Sequence, residues 1–319
     1  MIFVMAVLGV VVRLVAFGHG VTTWPPVNDA LPPLTDEDWQ SLFAHYRERF
    51  ALPSAMDLDA FRDVYVWEWL HRLWGHLVGA VFAVPFFYFF ARRILDNAMA
   101  VRLATIFALG STEVFVGWFM VQSGLAERTS VVPVRLTLQL IIALLAYGLL
   151  LWTALGLHYG AAQPLDQPRP LQKSGWAGLA LLVAAIIWGA LAAGLGAGLA
   201  YNTWPLMDGR FLPPEAWSLT PCWNNFFVNK AMVQFLHRWL GLTACLALLF
   251  WGYRRLLAAK FDATRRWGLA LCGAVFVQAG LGMATLLTRT EPALAAAHQG
   301  GAIILLTILM VNLRRPDRA

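Results

Sequence analysis

Charged residues are scarce in this chain: they make up 13% of its 319 residues, while hydrophobic residues make up 59%. A soluble domain carries about 25% charged residues. The composition therefore excludes an ordinary soluble domain and predicts a membrane protein. Cysteine is scarce too, and three residues are too few for a disulfide framework. The net charge of +6 does not indicate a nucleic-acid partner, because the basic residues lie mainly in short connections between apolar runs.

The chain contains long apolar runs. A membrane-spanning helix needs about 20 mainly apolar residues. Eight stretches meet this requirement: 2–18, 65–90, 103–121, 134–156, 176–199, 229–252, 267–287 and 293–312. We therefore expect an all-α polytopic membrane protein with eight transmembrane helices. The N-terminal run has no basic segment and no small-residue cleavage site before or after it, so it is interpreted as the first span and not as a cleaved signal.

The distribution of Lys and Arg predicts how these helices are oriented. Basic residues favour the cytoplasmic side of short loops. They concentrate after the even-numbered helices and at the C-terminus: Arg92, Arg93, Arg102, Arg169, Lys173, Arg254, Arg255, Lys260, Arg265, Arg266, Arg314, Arg315 and Arg318. We expect an integral protein of the cell inner membrane with both termini in the cytoplasm. The external connections are then 19–64, 122–133, 200–228 and 288–292.

Short motifs occur twice in the chain. The repeated pairs are Leu70-His71-Arg72 with Leu236-His237-Arg238, and Thr23-Trp24-Pro25 with Thr203-Trp204-Pro205. They predict two parallel four-helix bundle repeats, 1–157 and 175–313, related by an axis near the membrane normal. The first repeat has the longer external loop, 19–64. Within it, Thr35-Asp36-Glu37-Asp38 forms a capping-box pattern that predicts a helix from Thr35 to about Phe50, either on the membrane surface or as a folded cap.

Ionisable residues on membrane spans mark functional sites by default. Glu68 and His71 are three residues apart and share one helix face. His71, His237 and His298 each lie within about two turns of the predicted outer end of a span. Two histidines at equal depth in a four-helix unit can hold a haem iron from both sides. Three alternatives stay open: hydrogen bonding across a helix interface, a zinc site, which needs further ligands, and a proton relay through Glu68 and His71.

An arginine directly follows each repeated histidine. Arg72 and Arg238 lie near the predicted outer surface, where a guanidinium can pair with a haem propionate. The competing interpretation is that both side chains reach out to lipid headgroups. The sequence favours neither.

Five longer stretches carry a family resemblance. They are Trp67-Glu68-Trp69-Leu70-His71-Arg72, Gly117-Trp118-Phe119-Met120-Val121-Gln122-Ser123-Gly124-Leu125, Ala200-Tyr201-Asn202-Thr203-Trp204-Pro205-Leu206-Met207, Val233-Gln234-Phe235-Leu236-His237-Arg238 and Ala295-Ala296-Ala297-His298-Gln299. With these, the chain resembles the haem A synthase family from about residue 9 to residue 312. The resemblance implies an eight-helix membrane oxidoreductase that oxidises a methyl group of haem O to a formyl group with water-derived oxygen, for cytochrome oxidase biogenesis.

The resemblance also implies site residues. His237 and His298 would hold the iron of a haem b cofactor, and His71 with Glu68 would serve the substrate haem O. The sequence departs from the family pattern at Gln139, where the family has a histidine. The amide oxygen of glutamine is a poor iron ligand, so a bis-histidine substrate site is not expected.

Two interpretations follow from this departure. In the first, His71 alone binds the iron of haem O, and the chain is an active haem A synthase. In the second, the chain is a diverged paralogue, a membrane b-type haem protein for electron transfer, haem handling or oxidase assembly. The matches at Glu68, His71 and the external motifs favour the enzyme. A proton-coupled transporter that uses Glu68 is a third interpretation.

Partners are implied by the same resemblance. Haem O is the expected substrate, haem O synthase and oxidase assembly factors are the expected protein partners, and an electron acceptor is required. A homo-oligomer is compatible with the pattern.

Overall fold

The computed structural model describes residues 1–15, 32–49, 56–125, 133–160, 169–259 and 261–315. The regular elements among these residues are helices, with no β strand among them, and a largely irregular stretch separates Gly194 from Asn225. The chain divides into two compact units, Met1–Arg135 and Leu136–Ala319. In the described ranges, seven helices are long and apolar enough to cross a membrane. The protein is therefore an integral membrane protein, as the composition predicted.

The helices of the first unit are α1 (Ile2–Val15), α2 (Asp36–Arg49), α3 (Leu58–Ala91) and α4 (Asn97–Leu125). Those that follow are α5 (Pro133–Tyr159), α6 (Arg169–Gly194), a short α7 (Asn225–Val228), α8 (Lys230–Ala258), α9 (Asp262–Leu287) and α10 (Pro292–Arg314). The predicted span 2–18 corresponds to α1, whose apolar part Ile2–Val12 is shorter than the other candidates. The eight-span, two-repeat arrangement stays a prediction. So does the repeat boundary between 157 and 175.

In the first unit, α1 and α2 pack against α3. The indole Nε1 of Trp74 donates to the backbone oxygen of Met1 at 3.0 Å. Trp39 of α2 meets Tyr65 of α3 edge-on, with ring centres 5.1 Å apart. These contacts support the folded-cap interpretation of the helix in loop 19–64. The predicted capping box is present, since the Thr35 hydroxyl accepts from the backbone N–H of Asp38 and the Asp38 carboxylate accepts from the backbone N–H of Thr35.

The second predicted span begins earlier than expected, at Leu58 and not at residue 65. Asp57 caps the helix by accepting from the backbone N–H of Ala60 at 2.8 Å. The first two turns are polar, and a count of apolar residues does not detect such an extension. His71 therefore lies roughly three and a half turns from the helix start, and not within two.

The second unit contains a ring of four helices, in which α6 contacts α8, α8 contacts α9, α9 contacts α10 and α10 contacts α6. Its core is apolar, and the largest fully buried side chain is Trp251. The Trp251 indole donates to the backbone oxygen of Leu171 at 2.8 Å. Helix α5 packs here as well, with the Tyr147 and Thr307 hydroxyls 2.5 Å apart.

Helix ends in the second unit also differ from the predicted spans. The fifth span ends at Gly194 and not at residue 199, because Gly196 adopts a left-handed conformation with φ of 60°. The sixth extends to Ala258 and not to 252. Arg255 was expected in the loop that follows but is buried in this helix, donating to the backbone oxygen of Asn312 at 2.7 Å. The last turn of α8 therefore contacts α10. Sequence periodicity does not reveal a contact between helices.

A connecting segment, residues 197–228, is tied to the start of α8. The Arg238 guanidinium donates to the backbone oxygens of Tyr201 at 2.7 Å and Thr203 at 2.8 Å. Gln234, one turn earlier, donates to the backbone oxygen of Ala197 at 2.9 Å. Carbonyls of an irregular segment need donors, and hydrogen bonds from a charged group are the stronger kind. Arg238 therefore anchors this segment. The matching motif Thr23-Trp24-Pro25 lies outside the described residues.

The contact between Gly175 and Trp251 gives a test of the core. A methyl group added at Gly175 would lie 2.6 Å from the Trp251 ring. We expect Gly175→Ala to lower the free energy of unfolding by about 1–3 kcal/mol, because an overpacked core must shift. Thermal unfolding in detergent measures this. The control is Gly273→Ala on α9, where nothing lies within 4 Å of the added carbon. It should be neutral or stabilising, and equal losses for both variants would contradict the packing.

The Arg238 anchor predicts resistance to trypsin. Arg210 is exposed and is the sole Lys or Arg between residues 197 and 229. We expect Arg238→Met to speed cleavage after Arg210 by at least about tenfold, because the lost charged hydrogen bonds are worth about 1.5–3 kcal/mol each. Arg266→Met, at an exposed position on α9, is the control and should leave the rate unchanged. The same rate in the Arg238 variant and the wild type would show that other contacts hold the segment.

Candidate functional site

Two histidines face each other inside the second unit. His237 lies in the second turn of α8, and His298 lies in the second turn of α10. These helices occupy diagonal positions of the four-helix ring. Their imidazole ring centres are 6.3 Å apart, and the ring planes are inclined by 75°. The pair predicted from the sequence is therefore brought together by the fold.

Helix α6 supports the His237 ring. The ring nitrogen Nδ1 lies 2.9 Å from the backbone oxygen of Ala185. Gly189 follows one turn later on the same helix face. A methyl group added there would lie 2.8 Å from His237 Cε1, so the ring occupies space that a larger residue would fill.

Helix α9 supports the His298 ring in the same way. The side-chain amide nitrogen of Gln278 lies 3.1 Å from His298 Nδ1. Gly282 follows one turn later, and a methyl group added there would lie 2.9 Å from His298 Cε1. Each histidine thus has a hydrogen-bond partner on one neighbouring helix. In both cases a glycine follows that partner four residues later on the same helix.

The arrangement fits the iron of a haem. Within the described residues, Nδ1 of each ring has a protein partner, and neither Nε2 does. Two imidazoles on opposite sides of one metal, with metal–nitrogen bonds of about 2 Å, have ring centres roughly 6 Å apart. The observed 6.3 Å is consistent with that spacing. His237 and His298 are therefore able to hold one iron through their Nε2 atoms.

A zinc site receives no support. In the part of the chain that the structure describes, no three His, Cys, Asp or Glu side chains cluster as metal ligands. A structural zinc ion wants four protein ligands. A haem iron needs only two from the protein, since its porphyrin supplies the others.

Helix α10, which carries His298, begins at a capped N-terminus. The Glu291 carboxylate accepts hydrogen bonds from the backbone N–H groups of Leu294 and Ala293 at 2.8 and 3.1 Å. These two bonds hold the pKa of the Glu291 carboxyl below its ordinary value. The carboxylate form is favoured, and it satisfies two of the four unpaired donors that every helix start exposes.

The first unit contains Glu68, His71 and Arg72 on one stretch of α3. The buried Glu68 carboxylate forms an ion pair with Arg72, one turn later. His71 lies against α1, and its Nε2 would be 3.3 Å from a methyl group added at Gly9. A charged pair inside an apolar segment is costly unless its members satisfy each other, which Glu68 and Arg72 do. The structure thus brings Glu68 to Arg72. It leaves the roles predicted for Glu68, His71 and Arg72 untested.

Gln139, at the position where the sequence departs from the family pattern, lies in the second turn of α5. Arg238 lies beside Gln234, and its terminal nitrogens donate to backbone oxygens of the connecting segment. The predicted propionate contact of Arg238 would compete with these bonds.

Sequence reasoning missed Ala185, Gly189, Gln278 and Gly282. A backbone acceptor such as the Ala185 oxygen leaves no sequence signal. Gln278 does leave one, because it is a polar residue inside the apolar stretch Val275–Leu281. The sequence also shows that Gly282 follows Gln278 by four residues. Only the packing shows that both residues face His298.

Comparison with known proteins adds to this geometry. Residues 1–310 match the COX15-CtaA family, described as cytochrome oxidase assembly protein. A protein named Heme A synthase from Rhodospirillum centenum is 46% identical over 321 residues, covering 99% of this chain and 86% of the relative. Proteins with the same name from Parvibaculum lavamentivorans and Nitrosomonas eutropha are 41% and 37% identical, over 99% and 96% of this chain and 91% and 88% of theirs. The chain therefore belongs to the COX15-CtaA family of cytochrome oxidase assembly proteins.

Proposed function

We propose that this chain is a heme A synthase, a membrane oxidoreductase that converts haem O to haem A. The observation that carries the proposal is the facing pair His237 and His298, 6.3 Å between ring centres, in a chain whose family match covers residues 1–310. Membership supports the activity, and the facing histidine pair supports the assignment of an iron cofactor site.

The second unit is the proposed cofactor site. His237 and His298 would hold the iron of haem b, and the bound haem would supply electron transfer. The chain contributes the two supported rings, an apolar surrounding from the helix bundle and a segment anchored by Arg238 and Gln234.

The first unit is the proposed substrate site, with His71 as the ligand for the iron of haem O. Oxidation of a methyl group by water gives a formyl group, four protons and four electrons. Glu68 is the proposed proton acceptor, because it is a buried carboxylate one helical turn from His71. Arg72, its ion-pair partner, would hold that carboxylate in place and remains the proposed partner of a propionate. An external acceptor must remove the electrons.

Orientation and partners complete the proposal. The Lys and Arg distribution supports an inner-membrane protein with both termini in the cytoplasm. Haem O synthase is the proposed source of substrate, and oxidase assembly factors are the proposed recipients of product. The connection 200–228 would then lie on the outer side.

Haem A production is the direct test of the activity. We expect haem A in extracts of a strain that lacks its own heme A synthase, is supplied with haem O and expresses this chain. Chromatography of extracted haems measures it. Glu68→Gln should lower the yield by at least about tenfold, in line with the 10²–10⁴-fold contribution of a general base.

The same assay separates the enzyme from a diverged paralogue. Haem O and haem B without haem A, at normal protein levels, would contradict the enzyme. Gln139→His would then show whether this position alone silences turnover. Production of haem A by the unchanged chain would mean that one histidine suffices at the substrate site.

Haem retention tests the assignment of ligands to the two units. We expect His237→Ala and His298→Ala each to abolish the b-type absorbance of the purified protein, because one imidazole is lost from a two-ligand site. His71→Ala should keep that absorbance and lose haem A production. The exposed His76 gives a matched control, and His76→Ala should change neither. A b-type spectrum in both second-unit variants would rule out the pairing, and a wild-type protein without haem would favour the transporter.

A further inference from the structure

Gln278 has an unusual position for a polar side chain in an apolar helix. It is buried, with 8% of its surface exposed, and its amide nitrogen lies 3.1 Å from His298 Nδ1 and 3.0 Å from the His298 backbone oxygen. Its amide oxygen Oε1 is also buried and has no hydrogen-bond partner in the described part of the chain. An unsatisfied buried acceptor is costly, so this oxygen calls for a physical explanation.

The chemistry of a histidine ligand supplies that explanation. A neutral imidazole that binds iron through Nε2 carries its proton on Nδ1, and the Nδ1–H group needs an acceptor. The two ends of an amide are close in shape, and their assignment follows the hydrogen-bond network. If the Gln278 amide is turned over, Oε1 faces Nδ1–H and gains the donor that it lacks, but the bond from Gln278 Nε2 to the His298 backbone oxygen is lost and Oε1 comes close to that oxygen. This orientation is therefore favoured when iron at His298 Nε2 keeps the proton on Nδ1. The His298 backbone oxygen is still part of the α10 hydrogen-bond ladder.

We propose that Gln278 is the positioning residue of His298. Its amide fixes the orientation of the ring and, with Oε1 toward Nδ1–H, selects the tautomer that offers Nε2 to iron. This inference rests on the proposed haem site of His237 and His298. It assigns the two ligands different supports. The Ala185 backbone oxygen holds His237 and is not removed by a side-chain substitution, whereas Gln278 holds His298 and is open to mutation.

The internal repeat supports a specific role for this glutamine. Val277-Gln278-Ala279-Gly280-Leu281 matches Val121-Gln122-Ser123-Gly124-Leu125 in the first half of the chain. A glutamine therefore occurs at the corresponding place in both halves, followed by a glycine two residues later. Gln278 lies inside an apolar span, where a polar residue is expensive unless it has a partner. Its hydrogen bond to His298 on α10 meets that requirement.

Gln278→Leu and Gln278→Glu test the proposal with opposite expected effects. Leucine removes the acceptor, so haem b should bind about 10–100-fold more weakly, the usual cost of losing a residue that supports a metal ligand. The midpoint potential should rise, because the ring becomes a weaker donor to ferric iron. Glutamate is a stronger acceptor from Nδ1–H, so haem b should be retained and the midpoint potential should fall.

The measurements use the full chain purified in detergent with its haem b. Haem transfer to excess apomyoglobin reports affinity, and a spectroscopic redox titration reports the potential. Val275→Ala on the same helix is the control. Val275 is buried, so its truncation should lower the unfolding temperature, but it should leave affinity and potential unchanged.

The outcomes distinguish this inference from the proposed function. Opposite shifts of the potential for leucine and glutamate support the positioning role, because packing alone predicts no such order. Shifts in one direction, or potentials equal to the wild type, overturn it. If Gln278→Leu does not assemble, the glutamate variant decides by itself, since only an acceptor role predicts a fall. A wild-type protein without haem b, or one whose haem survives His298→Ala, overturns the proposed site and this inference with it.

Discussion

The need to satisfy polar groups inside an apolar helix bundle governs the second unit. His237 and His298 have little access to water, so each ring nitrogen that faces protein needs a hydrogen-bond partner on a neighbouring helix. The Ala185 oxygen and the Gln278 amide provide these partners. A glycine one turn after each partner leaves room for the ring. Ring orientation is therefore set by α6 and α9, the two helices that carry neither histidine.

The repeated motif serves different purposes in the two units. Gln234 and Arg238 in the second unit have the same spacing as Glu68 and Arg72 in the first. The Gln234 amide and the Arg238 guanidinium donate to backbone oxygens of the connecting segment. The first pair is a carboxylate with a guanidinium, and it adds a group able to accept a proton. The same spacing thus gives an anchor for the connecting segment in one unit and a buried ion pair in the other.

The sequence predicted what depends on composition and short spacing. Helix α2 with its Thr35 cap and the long apolar helices are of this kind, whereas the pairing of His237 with His298 was implied by the family resemblance. Sequence reasoning failed where the outcome depends on distant residues. The first turns of α3, from Leu58, are polar and pack against α2. Arg255 is buried because it contacts α10. Gln278 was visible as a polar residue in an apolar span, but its partner lies twenty residues along the chain on α10.

Gln139 acquires a physical meaning when the two proposed haem sites are compared. A cofactor must stay bound through many turnovers, and two imidazoles held by neighbouring helices suit that requirement. A substrate must leave once its methyl group is oxidised, and tight uniform binding would slow the cycle without helping the chemical step. One histidine, His71, gives weaker iron binding than a pair does. Under the proposed function, replacing the second ligand by glutamine is therefore compatible with turnover, because release of the product depends on a bond that breaks readily.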